Sequence, residues 1–228
     1  MIATLLQFVT GDQSVRYVAK YQPAKMAAME GHFHSSRPLG LTLFGWVDPA
    51  NQTVHGLTVP RVGSYLLTWN PTNPVEGLNS IPKNDQPMIQ PVFQLYHLMV
   101  LCGIALFAVA FWGGFLWIRG ALFQSKWFLK VLIYSVALPQ IATQAGWFTA
   151  ELGRQPWIVY GMMRTSAALS KAVKAGEILS SLILFTVIYL LLGALFFYLL
   201  NKRIQTGPED VSNDSDLATT FNPTQVSA

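Results

Sequence analysis

The chain has 228 residues, a formal net charge of +4, and 52% hydrophobic against 11% charged residues. That balance argues against a soluble domain, because three charge-free intervals (86–118, 131–150 and 178–201) each hold enough apolar residues for a spanning helix, which needs about 20. No basic cluster is interleaved with aromatics, so nucleic acid is not indicated as a partner, and a lone cysteine, Cys102, leaves no disulfide framework and reads as a small packing residue. The fold class that follows is all-α: a polytopic transmembrane helix bundle, made of the end of one helix and three full spans, with a long extramembrane loop.

Residues 1–10 (M-I-A-T-L-L-Q-F-V-T) are apolar but too short to cross a bilayer, and they lack the basic start and small-residue cleavage site of a signal peptide. They read as the last turns of a transmembrane helix whose beginning is absent. Residues 11–91 form a polar, Pro- and Gly-rich extramembrane segment far longer than an ordinary connection, and loops of that length are usually functional or disordered. Its first third shows helix punctuation: Pro23 near a start, then A-K-M-A-A-M-E, then Gly31 as a stop. The later part, with N-P-T-N-P and I-P-K-N-D-Q-P, reads as turns rather than strands.

Residues 92–203 hold the three spans, from about Phe93 to Ile118, Trp127 to Leu152, and Ile178 to Leu200. The second span carries Pro139 and a polar stripe, Gln140, Gln144, Trp147 and Glu151, whose spacing puts them on one helix face. Gly153 and Pro156 are expected to stop that helix and leave Arg154 in a turn. Residues 153–177 read as a loop with Arg154, Arg164, Lys171 and Lys174. Residues 204–228, rich in Ser, Thr, Asn, Asp and Pro, read as a disordered tail.

Four groups invite chemistry. Lys25 and Glu30 flank a short Ala/Met surface beside the membrane, where apolar contact and proton transfer to a polar head could combine, or where two charges are simply solvated; five residues apart, they lie about 140° around a helix and cannot form the usual pair. Met99 is a gap-filler on general grounds, yet a thioether can be an axial ligand to low-spin haem; His97, two residues away on the same helix, cannot be the opposite ligand. His32 and His34 fall short of a closed metal site. Glu151, with Arg154, Trp147 and Trp157, is either an interfacial anchor or a buried site, since a lone carboxylate at the lipid edge needs a partner.

The motifs Q-P-A-K-M-A-A-M-E-G-H (22–32), Y-H-L-M-V-L-C-G (96–103) and A-G-W-F-T-A-E-L-G-R-Q-P-W (145–157) resemble subunit I of cytochrome bd-type quinol oxidases over residues 1 to about 203. The short loop resembles the branch that includes the cyanide-insensitive oxidases. The resemblance implies that residues 11–91 are the quinol-binding loop on the periplasmic side of a bacterial cytoplasmic membrane, with Lys25 and Glu30 in quinol binding and oxidation and Asp12 at a nearby acidic position. It implies Met99 as a ligand of low-spin haem b, Glu151 as the ligand of high-spin haem b, Trp147 as a bridge between haems, and Arg154 as a partner of haem propionates. Haem d, or a b-type haem in its place, would reduce oxygen to water. Two positions depart from relatives, which often carry Arg where His97 stands and in some cases Glu where Gln144 stands.

The family has about nine spans, and its histidine ligands lie in the first half. The chain therefore looks like the C-terminal half of subunit I, expected to need the N-terminal half from another polypeptide, together with subunit II, lipid, quinol and oxygen. The rival readings are a truncated inactive remnant, and a non-redox scaffold or transporter fragment in which the polar stripe is interhelical glue.

Overall fold

The computed structural model describes residues 2–170 and 172–207. The chain is mostly helical, and three of its helical segments, Ile89–Ile118, Lys126–Arg154 and Ala175–Thr206, are long and apolar enough to cross a membrane. Residues up to Leu169 make one compact unit, and the final helix is described by itself. The expected disordered tail lies outside the described residues from position 208 onward, as does Lys171.

Helix α1 (Ile2–Tyr21) does not end at Thr10 but runs through Gly11 for three further turns. A glycine inside a helix costs about 1 kcal/mol, and Arg16 offsets it. Its guanidinium pairs with Asp12 one turn back at 2.8 Å, donates to the Leu67 carbonyl at 2.9 Å and lies 4.7 Å over the Trp69 ring. Those last contacts fasten α1 to the short helix α3 (Val62–Thr68) that follows the hairpin described below.

Helix α2 (Pro23–Glu30) starts with Pro in its first turn and stops at Gly31, whose φ of 63° is left-handed, as Pro23 and Gly31 predict. Its Ala/Met face is turned into the protein. Ala27, Ala28 and Met29 are buried against Val92, Phe93 and Tyr96 and form the main hydrophobic core, because a face this apolar gains more from burial than from water.

Two strands were not legible as such: β1 (Leu41–Asp48) and β2 (Thr53–Val59) pair antiparallel. Asp48 builds the turn by accepting from the Ala50 and Asn51 amides. The open edge of β1 is taken up by side chains of helix α4 (Ile89–Ile118). Gln90 accepts from the Val47 amide at 3.0 Å, Gln94 donates to the Gly45 carbonyl at 2.8 Å, and His97 Nε2 meets the Thr42 carbonyl at 2.9 Å. Residues 90, 94 and 97 share one helix face, so three side chains occupy the place of a third strand. Between α3 and α4 the chain is turns with two single 3-10 turns, Leu78–Ser80 and Lys83–Asp85.

The second span is two helices rather than one, α5 (Lys126–Ser135) and α6 (Ala137–Arg154). Pro139 explains the break: it has no amide for, and its ring clashes with, the carbonyl four residues back, at Ser135. Helix α6 packs on α4 through small residues, with Ala145 and Thr149 buried and Gly146 beside Met99, so the two backbones approach closely. Gly153 does not stop this helix; it lies inside it, and Arg154 is its last residue rather than part of a turn. The 153–177 segment is only partly loop. A small hairpin, β3 (Trp157–Val159) and β4 (Met163–Arg164), follows α6, and Arg164 ties it to Asp85. Helix α7 (Ala175–Thr206) begins with the Glu177 carboxylate accepting from the Lys174 amide at 3.3 Å.

Candidate functional site

Lys25 leaves α2 and lies across the C-terminal turn of α6. Its Nζ donates to the Ala150 carbonyl at 3.3 Å, and a Cβ on Gly153 would stand 2.9 Å from its Cγ and 3.3 Å from its Cδ. This close passage is why the helix carries glycine at 153. Burial, and then the neighbouring Arg154 guanidinium, hold the ammonium below the usual lysine range, while Glu151 pulls it back up. Lys25, Glu151 and Arg154, spread over 130 positions of sequence, therefore form one charged group, in which Glu151 and Arg154 are ion-paired one turn apart.

Glu30, at the other end of α2, goes elsewhere. It is 4% exposed, and its Oε2 is buried without a hydrogen-bond partner. Burial pushes its carboxyl up to about 7, against the opposing pull of the Tyr96 side chain and the Thr42 backbone. A carboxyl with that value exchanges its proton near neutral pH, which is what a general base in a membrane-surface site needs. Lys25 and Glu30 thus face different partners, Lys25 the end of α6 and Glu30 the α4 and β1 side.

Met99 is on the α4 face that meets α6, where a Cβ on Gly146 would be 2.7 Å from its Sδ. Trp147 is 57% exposed and tilts against Phe148 at 5.2 Å. The donor set fits the haems the resemblance implies: a thioether suits a low-spin iron and a carboxylate a harder, high-spin one. Arg154 supports the fit, since its Nη2 holds Glu151 while its Nε is buried without a partner, so that donor is open to a propionate. The polar stripe does not glue α6 to α4, because the buried residues of α6 are Ala145, Thr149 and Gly153.

His97 is more than a departure at one position. It is buried, stacks on Phe93 at 4.0 Å, and its two ring nitrogens face the Phe93 and Thr42 carbonyls at 2.8 and 2.9 Å. His32 Nε2 meets the Val75 carbonyl and His34 Nδ1 meets Asn79, so each ring is engaged in the loop's own structure. Sequence reading passed over Thr42, Tyr96 and Ala150. Tyr96 and Ala150 stood in quoted motifs, but Thr42 and the Ala150 carbonyl reach the site through tertiary contact alone.

A sequence profile of cytochrome bd terminal oxidase subunit I matches residues 1–208. The chain is similar to cytochrome bd ubiquinol oxidase subunit 1 of Bacillus subtilis (strain 168), 33% identical over 226 residues, covering 94% of this chain and 48% of the relative. It is also similar to cytochrome bd-II ubiquinol oxidase subunit 1 of Escherichia coli (strain K12), 26% identical over 271 residues, covering 90% of this chain and 52% of the relative. Among solved structures it matches the bd oxidase from Geobacillus thermodenitrificans with a TM-score of 0.73 at 32% identity, covering 91% of this chain and 47% of that one. The chain spans about half the length of the relatives it matches.

Proposed function

The chain belongs to the cytochrome bd terminal oxidase subunit I family, and on that premise we propose that it supplies the quinol loop and the C-terminal haem ligands of a terminal quinol oxidase. The observation that carries this reading is Lys25 on the Ala150 carbonyl, which joins the loop helix to the helix bearing Glu151 and Arg154. An electron donor bound at the loop would then lie against the same turn that holds a haem ligand.

In this reading the loop lies on the periplasmic side of a bacterial cytoplasmic membrane. Lys25 donates a hydrogen bond to a quinol oxygen and, being partly desolvated, is a stronger donor than a solvated ammonium. Glu30 accepts a quinol proton, and burial keeps it poised to do so at neutral pH. Met99 would hold the iron of low-spin haem b, Glu151 that of high-spin haem b and Arg154 a propionate, with Trp147 as the aromatic residue between them. When bound, the haems supply one-electron transfer and, with haem d or a b-type haem in its place, reduction of oxygen to water. The N-terminal half of subunit I and subunit II complete the assembly.

The test uses the assembled oxidase with duroquinol as donor. Glu30→Gln should lower turnover about a hundredfold or more, the low end of acid–base effects, and Lys25→Met should lower it as well, each with the haem spectrum unchanged. Wild-type turnover in both variants would refute the assignment.

A further inference from the structure

Beside Glu30 lies a cleft of about 390 Å³, walled by His32, His34 and Arg37 of the loop and by Thr42 and Thr58 of the hairpin. Three features distinguish it from a packing gap. Its inner end is Glu30, buried and with Oε2 unpartnered. Its lining sets the imidazoles of His32 and His34 and the Thr42 and Thr58 hydroxyls, which face each other at 3.1 Å, among apolar atoms. Its outer end is solvent, because Arg37, Thr53 and Thr58 are exposed. At about 30 Å³ each, on the order of ten waters fit the volume. The hairpin wall cannot readily collapse onto it, since Gln90, Gln94 and His97 fix β1 to α4.

We propose that this cleft is the water-filled route by which a proton taken up by Glu30 reaches the aqueous phase, on the side of α2 away from the Lys25–Ala150 contact. The inference rests on the reading of Glu30 as the proton acceptor and extends it. A quinol O–H bond breaks, its proton goes to the Glu30 carboxylate and its electron to the haem. The carboxyl O–H bond then breaks and the proton passes to water in the cleft, which restores the carboxylate for the second proton of the quinol.

The charged and titratable groups around Glu30 agree with outward transfer. Tyr96 of α4 faces the carboxyl. On the loop, burial lowers His32, which leaves that ring uncharged near neutral pH and unable to repel an approaching proton. His34 and Arg37 line the cleft, with Arg37 at its exposed mouth. Lys25 is on the same helix but directed to Ala150, with Glu151 and Arg154 beyond it. His97 of α4 reaches the site only through the Thr42 carbonyl. The hairpin residues of the wall, Thr42, Thr53 and Thr58, carry no charge.

The experiment uses the assembled oxidase and duroquinol. Thr58→Phe fills the mouth, and Thr42→Val removes the inner hydroxyl while keeping the shape. Thr58→Phe should lower kcat about a hundredfold with KM for duroquinol unchanged, the low end of the range for loss of proton transfer. Its solvent deuterium isotope effect on kcat should rise above wild type, and added imidazole, a small diffusible base, should restore part of the rate. Thr42→Val should raise the isotope effect in the same direction. If Thr58→Phe fails to assemble, the Thr42→Val isotope effect decides. Wild-type kcat and isotope effect in these variants, with Glu30→Gln inactive, would overturn the route and leave the Glu30 assignment standing. Wild-type turnover in Glu30→Gln would overturn both.

Discussion

Replacing Glu30 by Gln should strengthen α2 at alkaline pH and leave it nearly unchanged at acid pH. Burial raises this carboxyl from its ordinary 4.5 to about 7, so the folded state holds the proton more tightly than the unfolded chain does. The stabilisation from the neutral carboxyl is complete below pH 4.5 and is lost as pH rises through about 7. Above that, ionised Glu30 costs the fold about 3 kcal/mol, taking 1.36 kcal/mol for each pH unit between the two values. Gln does not ionise, though its amide must find partners in the same place, so about 1–3 kcal/mol of the difference should appear. Hydrogen exchange of the α2 amides, corrected for intrinsic rates, measures it in the assembled protein. The variant-to-wild-type protection ratio should rise at least about tenfold between pH 4.5 and pH 8, the equivalent of about 1.4 kcal/mol. A ratio that is the same at both pH values would show that Glu30 is not held neutral by burial, and the proton-acceptor reading would lose its physical basis.

Gly153→Ala puts a methyl group 2.9 Å from Lys25 Cγ; the lysine should swing off Ala150, with KM for duroquinol rising and the haem spectrum unchanged, whereas an unchanged KM would contradict the Lys25 assignment. Gly146→Ala puts a methyl group 2.7 Å from Met99 Sδ and should displace the sulfur by roughly 1 Å, enough to weaken a ligand that must sit within about 0.5 Å of its productive place; the low-spin haem band should shift or fall, and an unperturbed band would argue that Met99 only packs. His97→Phe strands the Thr42 carbonyl in a buried site at a cost of about 1–3 kcal/mol, and limited proteolysis should then cut the hairpin (41–59) faster than in wild type; equal cutting rates would show that the α4 side chains do not hold it.

The parts of the fold that were legible are those governed by local rules. Pro23 and Gly31 bracket α2 because a fixed φ starts a helix cheaply and a left-handed φ ends one. The three spans follow from long apolar runs that only a bilayer can bury. Where the reading failed, tertiary contact overrode the local signal. Gly153 looked like a stop but is small because Lys25 passes over it. Gly11 looked like a helix end, yet Arg16 reaches Leu67 and Trp69 and carries α1 onward. The strands of β1 and β2 were hidden because their edge is completed by Gln90, Gln94 and His97 rather than by another strand. Pro139 was noticed, but its consequence four residues upstream at Ser135 was not drawn.

For the site, the residue types were legible and their grouping was not. Lys25 and Glu30 share a motif yet part company, because positions five apart on a helix face different neighbours. Glu151 and Arg154 were read beside each other, while the lysine that joins them comes from another helix.

The most direct test of the central claim is a reduced-minus-oxidised visible spectrum of membranes carrying this chain together with the N-terminal half of a family subunit I. Haem bands should appear, with the low-spin b signal lost in Met99→Leu and the high-spin b signal lost in Glu151→Gln. Stable insertion of the chain with no haem bands, or bands that neither substitution alters, would contradict the assignment of Met99 and Glu151 as ligands.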